Sequence, residues 1–443
     1  MVEVNNLKKV KDIILKNNKL IFVSVITVLL FFSNLFSPLW IVAVVFTLGF
    51  YSFLNVGEIV AFSMYFNMFS GIETFYIASL LCGLAVIIVK YIIDLVKKNK
   101  KVYVLPLVIT LGYIVLFSLI NYGYDKNGAL QGALIVSLLL VSYLLFVYRK
   151  EINVDESFKA LMLGVFVSTI LAFVSLLIPN FAHTIYHFDG TYRRLKLLCL
   201  HQNHLAVICL FAMSYYVYKI VNQKGKLWIN LLFIVALLAH GLLTLSKAFI
   251  LVAAIIVLYL FVFSIIIYKK KSLKVIIPCV VLMIACCFIA KDLVLKILNR
   301  FVAYETTSSI INRITTGRSS IWYTYFAEIS SSILEMMFGV GLFSKELVLI
   351  GPHNVLVYFL YRTGIVGIVL LSVLIWSYLK EYKGKIVINA KNLLPIVVFL
   401  IVAMEEMIFS DRFYFFMIFS VILSFKKDKH EEQTIIDNKK TYW

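Results

Sequence analysis

The sequence predicts an all-α integral membrane protein, a polytopic bundle of about 12–14 helical spans with a long, partly helical extracytoplasmic loop. Three observations predict it. Of 443 residues, 62% are hydrophobic and 15% charged, against about 45–50% and about 25% in soluble domains, so the apolar excess cannot be hidden in one core. The apolar residues fall in runs near the length of about 20 that an α-helix needs to cross a bilayer. The basic residues behind the formal charge of +19 stand in short loops between those runs, the positive-inside pattern of a membrane topology; nucleic acid is not expected as a partner. A cytosolic enzyme, a secreted domain and a disordered chain are excluded.

The first run, Leu20 to Phe36, follows Lys8, Lys9, Lys11, Lys16 and Lys19. It lacks a small-residue cleavage site and more runs follow at once, so it reads as a retained span. Trp40 to Leu54, Val56 to Ser70 and Phe75 to Val96 come next. Val56 to Ser70 is short, but counting it places Lys97, Lys98, Lys100 and Lys101 on the same side as the other basic clusters. Val102 to Ile120, Ala129 to Tyr148 and Phe158 to Ile178 complete an N-terminal bundle, residues 1–180. A core over 181–425 then carries Leu205 to Tyr218, Leu227 to Leu245, Phe249 to Tyr268, Val275 to Ala290, Val355 to Leu379, Leu393 to Met407 and the short Phe413 to Phe425. Residues 426–443 read as a cytoplasmic tail. On this layout both termini and the basic clusters are cytoplasmic. The cysteines Cys82, Cys199, Cys209, Cys279, Cys286 and Cys287 lie within or beside apolar runs without CxxC spacing, as small packing residues do.

The same alternation puts three loops outside. The first, Pro179 to about His204, carries His183, His187, Asp189, Arg193, Arg194, Lys196, His201 and Asn203. The second is the turn at Ser246 and Lys247. The third and longest, 291–353, includes Asp292, Arg300, Arg313, Gly317, Arg318, Glu328 and Glu335. Outward positive charge opposes the orientation rule, and long loops are usually functional. Ile321, Trp322, Tyr325, Phe326, Ile329, Ile333, Leu334 and Met337 form one helical stripe with Thr324, Glu328, Ser331 and Glu335 opposite, which predicts an amphipathic helix on the membrane or across the bundle. Gly339 and Gly341 should end it, and Gly351-Pro352 should turn His353 to the outer mouth of the next span.

Arg193, Arg194, Lys247 and Arg318 supply outward cations, and His353 stands among them as a group able to move protons at neutral pH. A lipid-borne diphosphate matches such cations. It is also a leaving group whose charge grows in the transition state, where guanidinium contacts stabilise it most. His353 could take the proton of an attacking sugar hydroxyl.

These residues resemble a known family. Thr316-Gly317-Arg318-Ser319-Ser320-Ile321-Trp322, Phe338-Gly339-Val340-Gly341, Pro352-His353-Asn354 and Gly364-Ile365-Val366-Gly367 look like the signature of the O-antigen ligase and O-antigen polymerase family. Arg194-Leu195-Lys196 through His201-Gln202-Asn203-His204-Leu205-Ala206 is similar to its arginine loop, and Leu245-Ser246-Lys247-Ala248 to its Ser-Arg-Gly-Ala turn. The resemblance covers roughly residues 190–425. Lys247 departs from the family's arginine, keeping charge but losing the fork, and Ala248 replaces a common glycine.

The resemblance implies a metal-independent, inverting glycosyltransferase of the GT-C type in the bacterial cytoplasmic membrane. Its substrate would be an undecaprenyl-diphosphate-linked oligosaccharide, with no cofactor, and with a chain-length regulator or flippase as partner. His353 would be the catalytic base. Arg318, Arg194, Lys247, Arg193 and Asn203 would bind diphosphate and substrate, with Asn354 and Glu406 in support. The expected activity is polymerisation of surface polysaccharide, O-antigen or capsule. A ligase acting on a lipid core or protein, and a lipid-linked oligosaccharide flippase, remain open alternatives.

Plainer roles compete for each residue. Arg318 could snorkel to lipid phosphate, His353 could be a turn histidine, Lys247 a bare loop charge, and of Arg193 and Arg194 only one readily faces a site. His201 and His204, three apart, lack a nearby cysteine or carboxylate to complete a zinc set. Asn203 is expected to cap the following span, and His240 to be a packed, hydrogen-bonded core residue. Arg362, an intramembrane charge, is expected to find a carboxylate such as Glu405 or Glu406. Gly364 and Gly367 read as helix contacts.

Overall fold

The computed structural model describes residues 19–97, 104–120, 126–178, 182–189, 192–268, 277, 295, 318–342, 352–380, 390–405 and 414–424. Val275 to Ala290, nearly all of 291–317, Glu406 and the tail 426–443 fall outside the described residues, apart from single positions.

The fold is mostly helical. In chain order the helices are α1 (Lys19–Ser33), α2 (Leu39–Ser52), α3 (Val56–Phe66), α4 (Glu73–Val96), α5 (Leu105–Ile120), α6 (Lys126–Val147), α7 (Val154–Ser175) and the single turn α8 (Ala182–Ile185). A hairpin of β1 (Tyr186–Asp189) and β2 (Tyr192–Leu195) follows, then α9 (Gln202–Val221), α10 (Leu227–Leu243) and α11 (Lys247–Tyr268). Next come α12 (Arg318–Ser331), α13 (Ile333–Phe338), α14 (Val355–Lys380), α15 (Leu394–Glu405) and α16 (Tyr414–Ser424). Among the described residues α4, α7, α9, α11 and α14 are long and apolar enough to cross a membrane. The chain groups into two compact units interleaved in sequence, one of Met1–Val102, Val147–Ala212 and Ala239–Ser246, the other of Tyr103–Phe146, Met213–Leu238 and Lys247–Trp443.

In the first unit α3 is the buried centre. Its start is fixed by a reciprocal cap, Asn55 Oδ1 accepting from the Glu58 N–H at 2.9 Å while Glu58 accepts from the Asn55 N–H at 3.1 Å. With the 3₁₀ turn Asn67–Phe69 it rises only about 20 Å, less than the hydrocarbon thickness, and almost every side chain is buried. Against α7 the backbones touch: a Cβ on Gly164 would sit 2.7 Å from the Tyr65 carbonyl oxygen, the close approach that small residues allow between membrane helices. The irregular stretch before α9 is strapped down by polar groups. Gly71 N–H donates to the Leu198 carbonyl at 2.8 Å, and the N–H groups of Leu198 and Leu200 donate to Ser168 and Ser70 hydroxyls at 3.4 and 3.3 Å. Buried non-helical backbone needs such partners.

In the second unit α14 is broken. Gly364 takes φ 63° and ψ −172°, a region open essentially to glycine alone, which interrupts the hydrogen-bond ladder and frees carbonyls one turn earlier. Each finds a donor. Val340 and Gly341 N–H groups donate to the Tyr361 and Arg362 carbonyls, both at 2.9 Å, and the Tyr113 hydroxyl donates to the Thr363 carbonyl at 2.9 Å. Gly364 is therefore a break rather than a simple helix contact, and Gly367 leaves room for the Thr363 side chain. Gly339 and Gly341 do end α13, with φ of 76° and 88°.

The amphipathic segment is helical, but Ser332 splits it into α12 and α13. Tyr325 and Ile329 are buried against Val357 and Tyr361 of α14, with Ile321, Trp322 and Met336 packed around them. Phe326, Ile333 and Leu334 instead face outward, so the stripe serves two surfaces: one packs on α14 and the other is left apolar, as membrane contact requires.

Candidate functional site

The hairpin decides which of the adjacent arginines turns inward. Strand residues alternate sides, and the register pairs His187 with Arg194 and Phe188 with Arg193. Arg194 is 7% exposed. Its Nε donates to the Thr244 carbonyl at 2.9 Å and its Nη2 to Asn203 Oδ1 at 3.2 Å. Thr244 follows the last residue of α10, where helix carbonyls lack intrahelical donors and carry partial negative charge. One guanidinium thus joins the hairpin, the α10 end and the first turn of α9. Arg193 is exposed, its guanidinium 5.7 Å from the Phe188 ring centre.

Asn203 is not the expected cap. Its side chain accepts from Arg194, and its own N–H donates to His201 Nδ1 at 3.3 Å. His201 lies 5.3 Å from His187 and 6.2 Å from His204, centre to centre. Among the described residues no three His, Cys, Asp or Glu side chains are grouped to hold a metal ion. Lys196 is partly buried, and burial holds its amine below the ordinary lysine value. Burial also pushes the Cys199 thiol up to about 12, so it is an inert packing residue. His240 is hydrogen-bonded as expected, its Nε2 3.0 Å from Thr169 Oγ1.

The second unit assembles the other group. Arg318 opens α12, and one turn later Trp322 donates its indole N–H to the Pro352 carbonyl at 2.6 Å. The next residue, His353, has φ 46°, a left-handed conformation uncommon outside glycine. Asn354 then caps α14, its Oδ1 accepting from Leu356 and Val357 N–H groups at 3.0 and 3.1 Å. His353 is thereby held between a fixed carbonyl and a helix cap, with its Nδ1 withdrawn from solvent. The Tyr325 and Tyr361 rings, edge to face at 4.9 Å, lock α12 against the same stretch of α14.

Lys247 is the first residue of α11, with its Nζ withdrawn from solvent. Arg362 is 1% exposed; its Nη1 donates to the Gly341 carbonyl at 3.4 Å, and its guanidinium lies 5.3 and 5.5 Å from the Tyr358 and Tyr361 ring centres. Among the described contacts a carbonyl and two ring faces hold it; the carboxylates expected to partner it are not placed, since the Glu405 side chain and Glu406 lie outside the described residues. The structure therefore brings Arg194 together with Asn203 in the first unit, and ties the helix of Arg318 to the turn of His353 and Asn354 in the second.

Trp322 stands in the sequence both on the apolar stripe and in the run with Arg318, and the structure shows its side chain making the tie to the His353 turn. An apolar groove of about 500 Å³ between α12, α13 and α14 is lined by Tyr323, Phe326, Ala327, Met336 and Leu360 among others. A scan against protein-family models finds no match, and a search of the curated proteins finds no relative.

Proposed function

We propose that the protein is a membrane glycosyltransferase that polymerises a surface polysaccharide, taking glycan from an undecaprenyl diphosphate carrier and adding it to a lipid-linked repeat unit. One observation carries this reading: the Trp322 to Pro352 hydrogen bond fastens the helix that begins with Arg318 to the turn that holds His353. A cation and a proton acceptor carried on elements tied to each other are what displacement of a diphosphate by a hydroxyl requires.

In the proposed step His353 accepts the proton of an acceptor hydroxyl as its oxygen attacks the anomeric carbon. The bond between that carbon and the carrier phosphate breaks, and the electron pair leaves with the diphosphate. Arg318 neutralises the growing charge through its guanidinium fork. Attack from the face opposite the leaving group inverts the anomeric configuration. The energy is stored in the carrier's phosphate bond, so no nucleotide sugar takes part; metal independence is what the family resemblance implies. Within the first unit Arg193, exposed on the hairpin, and Arg194, anchored beside Asn203, are suited to the anionic carrier. Lys247 supplies a further positive charge at the start of α11.

Deletion tests the reaction in cells. Loss of a polymerase leaves surface glycan at one repeat unit, which is the expected result. Long chains stranded on the carrier point to a ligase, and unaltered glycan on the outer face contradicts both. Accumulation of repeat units on the inner face points to a flippase.

A further inference from the structure

We infer that Trp322 is a positioning residue: its indole N–H, through the Pro352 carbonyl, sets the placement of His353 relative to Arg318. The inference rests on the glycosyltransferase reading and adds a residue to it.

Two restraints on the His353 turn are specific. A non-glycine residue in the left-handed region is strained and persists where its surroundings over-determine it. Two elements do so here. On the C-terminal side the Asn354 side chain fixes the first turn of α14 through two N–H groups. On the N-terminal side the Pro352 carbonyl is fixed by the 2.6 Å bond from Trp322, and Pro352 has no N–H of its own with which to be held. Loss of the indole donor removes one of these two restraints on the peptide between Pro352 and His353, and with it part of what places the imidazole.

Trp322 is also bound to the rest of the support. Its ring packs on the cluster of Tyr325, Ile329, Val357 and Tyr361, so the donor is carried by a rigid body. Arg318 lies one helical turn earlier on a neighbouring line of the same helix. A single side chain therefore touches the His353 turn and shares the helix face of Arg318. An error of about 1 Å between such groups can cost about a hundred-fold in rate.

The test uses the full-length protein reconstituted in vesicles with a purified lipid-linked repeat unit. Trp322→Phe removes the N–H and keeps most of the packing. The expected result is a fall in kcat of about ten- to hundred-fold, with KM for the lipid-linked substrate within about three-fold because Arg318 is untouched. Trp322→Gln keeps an N–H donor and should retain more of kcat than Trp322→Phe, although it sacrifices more packing and melts lower. In a His353→Ala background Trp322→Phe should cost nothing more, since its effect passes through that histidine.

Unchanged kcat in Trp322→Phe overturns the inference. So does a Trp322→Phe penalty that is equally large with and without His353, which marks a purely structural role. If Trp322→Phe does not fold, Trp322→Gln compared across the two His353 backgrounds makes the same decision. Full activity of His353→Ala instead removes the glycosyltransferase assignment of that histidine, a failure distinct from the failure of Trp322.

Discussion

Gly339 and Gly364 interlock. A Cβ on Gly339 would sit 2.5 Å from the Arg362 carbonyl carbon, and one on Gly364 would sit 2.5 Å from the Phe338 amide nitrogen. Each glycine thus leaves room for the backbone beside the other. Both also adopt positive φ with ψ near 180°. The end of α13 and the break in α14 are two halves of one joint, sealed by main-chain hydrogen bonds and by Tyr113 from α5.

Gly339→Ala and Gly364→Ala should therefore each destabilise the protein strongly, by about 3 kcal/mol or more from backbone strain and backbone contact together. Gly112, which has open space around it, serves as the control: Gly112→Ala should leave Tm unchanged or slightly higher, since alanine favours helix. Thermal unfolding in one detergent compares the three, and equal Tm values for all would remove the joint.

Tyr113→Phe withdraws the hydroxyl that satisfies the Thr363 carbonyl and also lies 3.2 Å from the Phe338 carbonyl. An unsatisfied buried carbonyl costs about 1–3 kcal/mol. The expected signature is faster amide hydrogen exchange in α13 and the first half of α14, with α11 unaffected. Uniform exchange throughout would show that the hydroxyl does not hold the joint.

Arg194→Lys preserves the charge and loses the planar fork that reaches Thr244 and Asn203 at once. Loss of about 1–3 kcal/mol is expected, as for a hydrogen bond to a charged group. Arg193→Lys, on the exposed side of the same strand, should leave stability unchanged. A stability loss in Arg193→Lys as large as in Arg194→Lys would mean that strand alternation does not decide their roles.

Lys196 gives a pH-dependent readout. Burial lowers its folded-state pKa below the unfolded value, so the unfolded chain binds more protons between the two values, and stability contributed by this group rises with pH across that window. At neutral pH the buried ammonium is a liability. Lys196→Met should raise Tm there, and its advantage should shrink as pH climbs toward the ordinary lysine range near 10.4. A lower Tm for Lys196→Met at neutral pH would show that the ammonium has a stabilising partner.

Legibility in the sequence followed the range of the forces involved. Long apolar runs announced α4, α7, α9, α11 and α14, because bilayer thickness imposes a length that one run records by itself. The end of α13 at Gly339 was legible for a similar reason: a glycine pair stops a helix locally. The break at Gly364 was not, since it depends on backbone from 338–341 filling the gap, about two dozen residues earlier in the chain. The β1–β2 hairpin was not legible, since strands of only four residues each carry too short an alternation to stand out from a loop. The roles of Arg194 and Asn203 were half legible. Chemistry marked both as candidates, but only folding could show that Asn203 receives the arginine rather than capping a helix.

The most direct measurement is synthesis of glycan by the purified, reconstituted protein from a lipid-linked repeat unit, followed on a gel, beside Arg318→Ala and His353→Ala. The account expects a ladder of lengthening chains from the natural protein without added metal, and a loss of about a hundred-fold or more in each variant. A ladder of full intensity from both variants would contradict it.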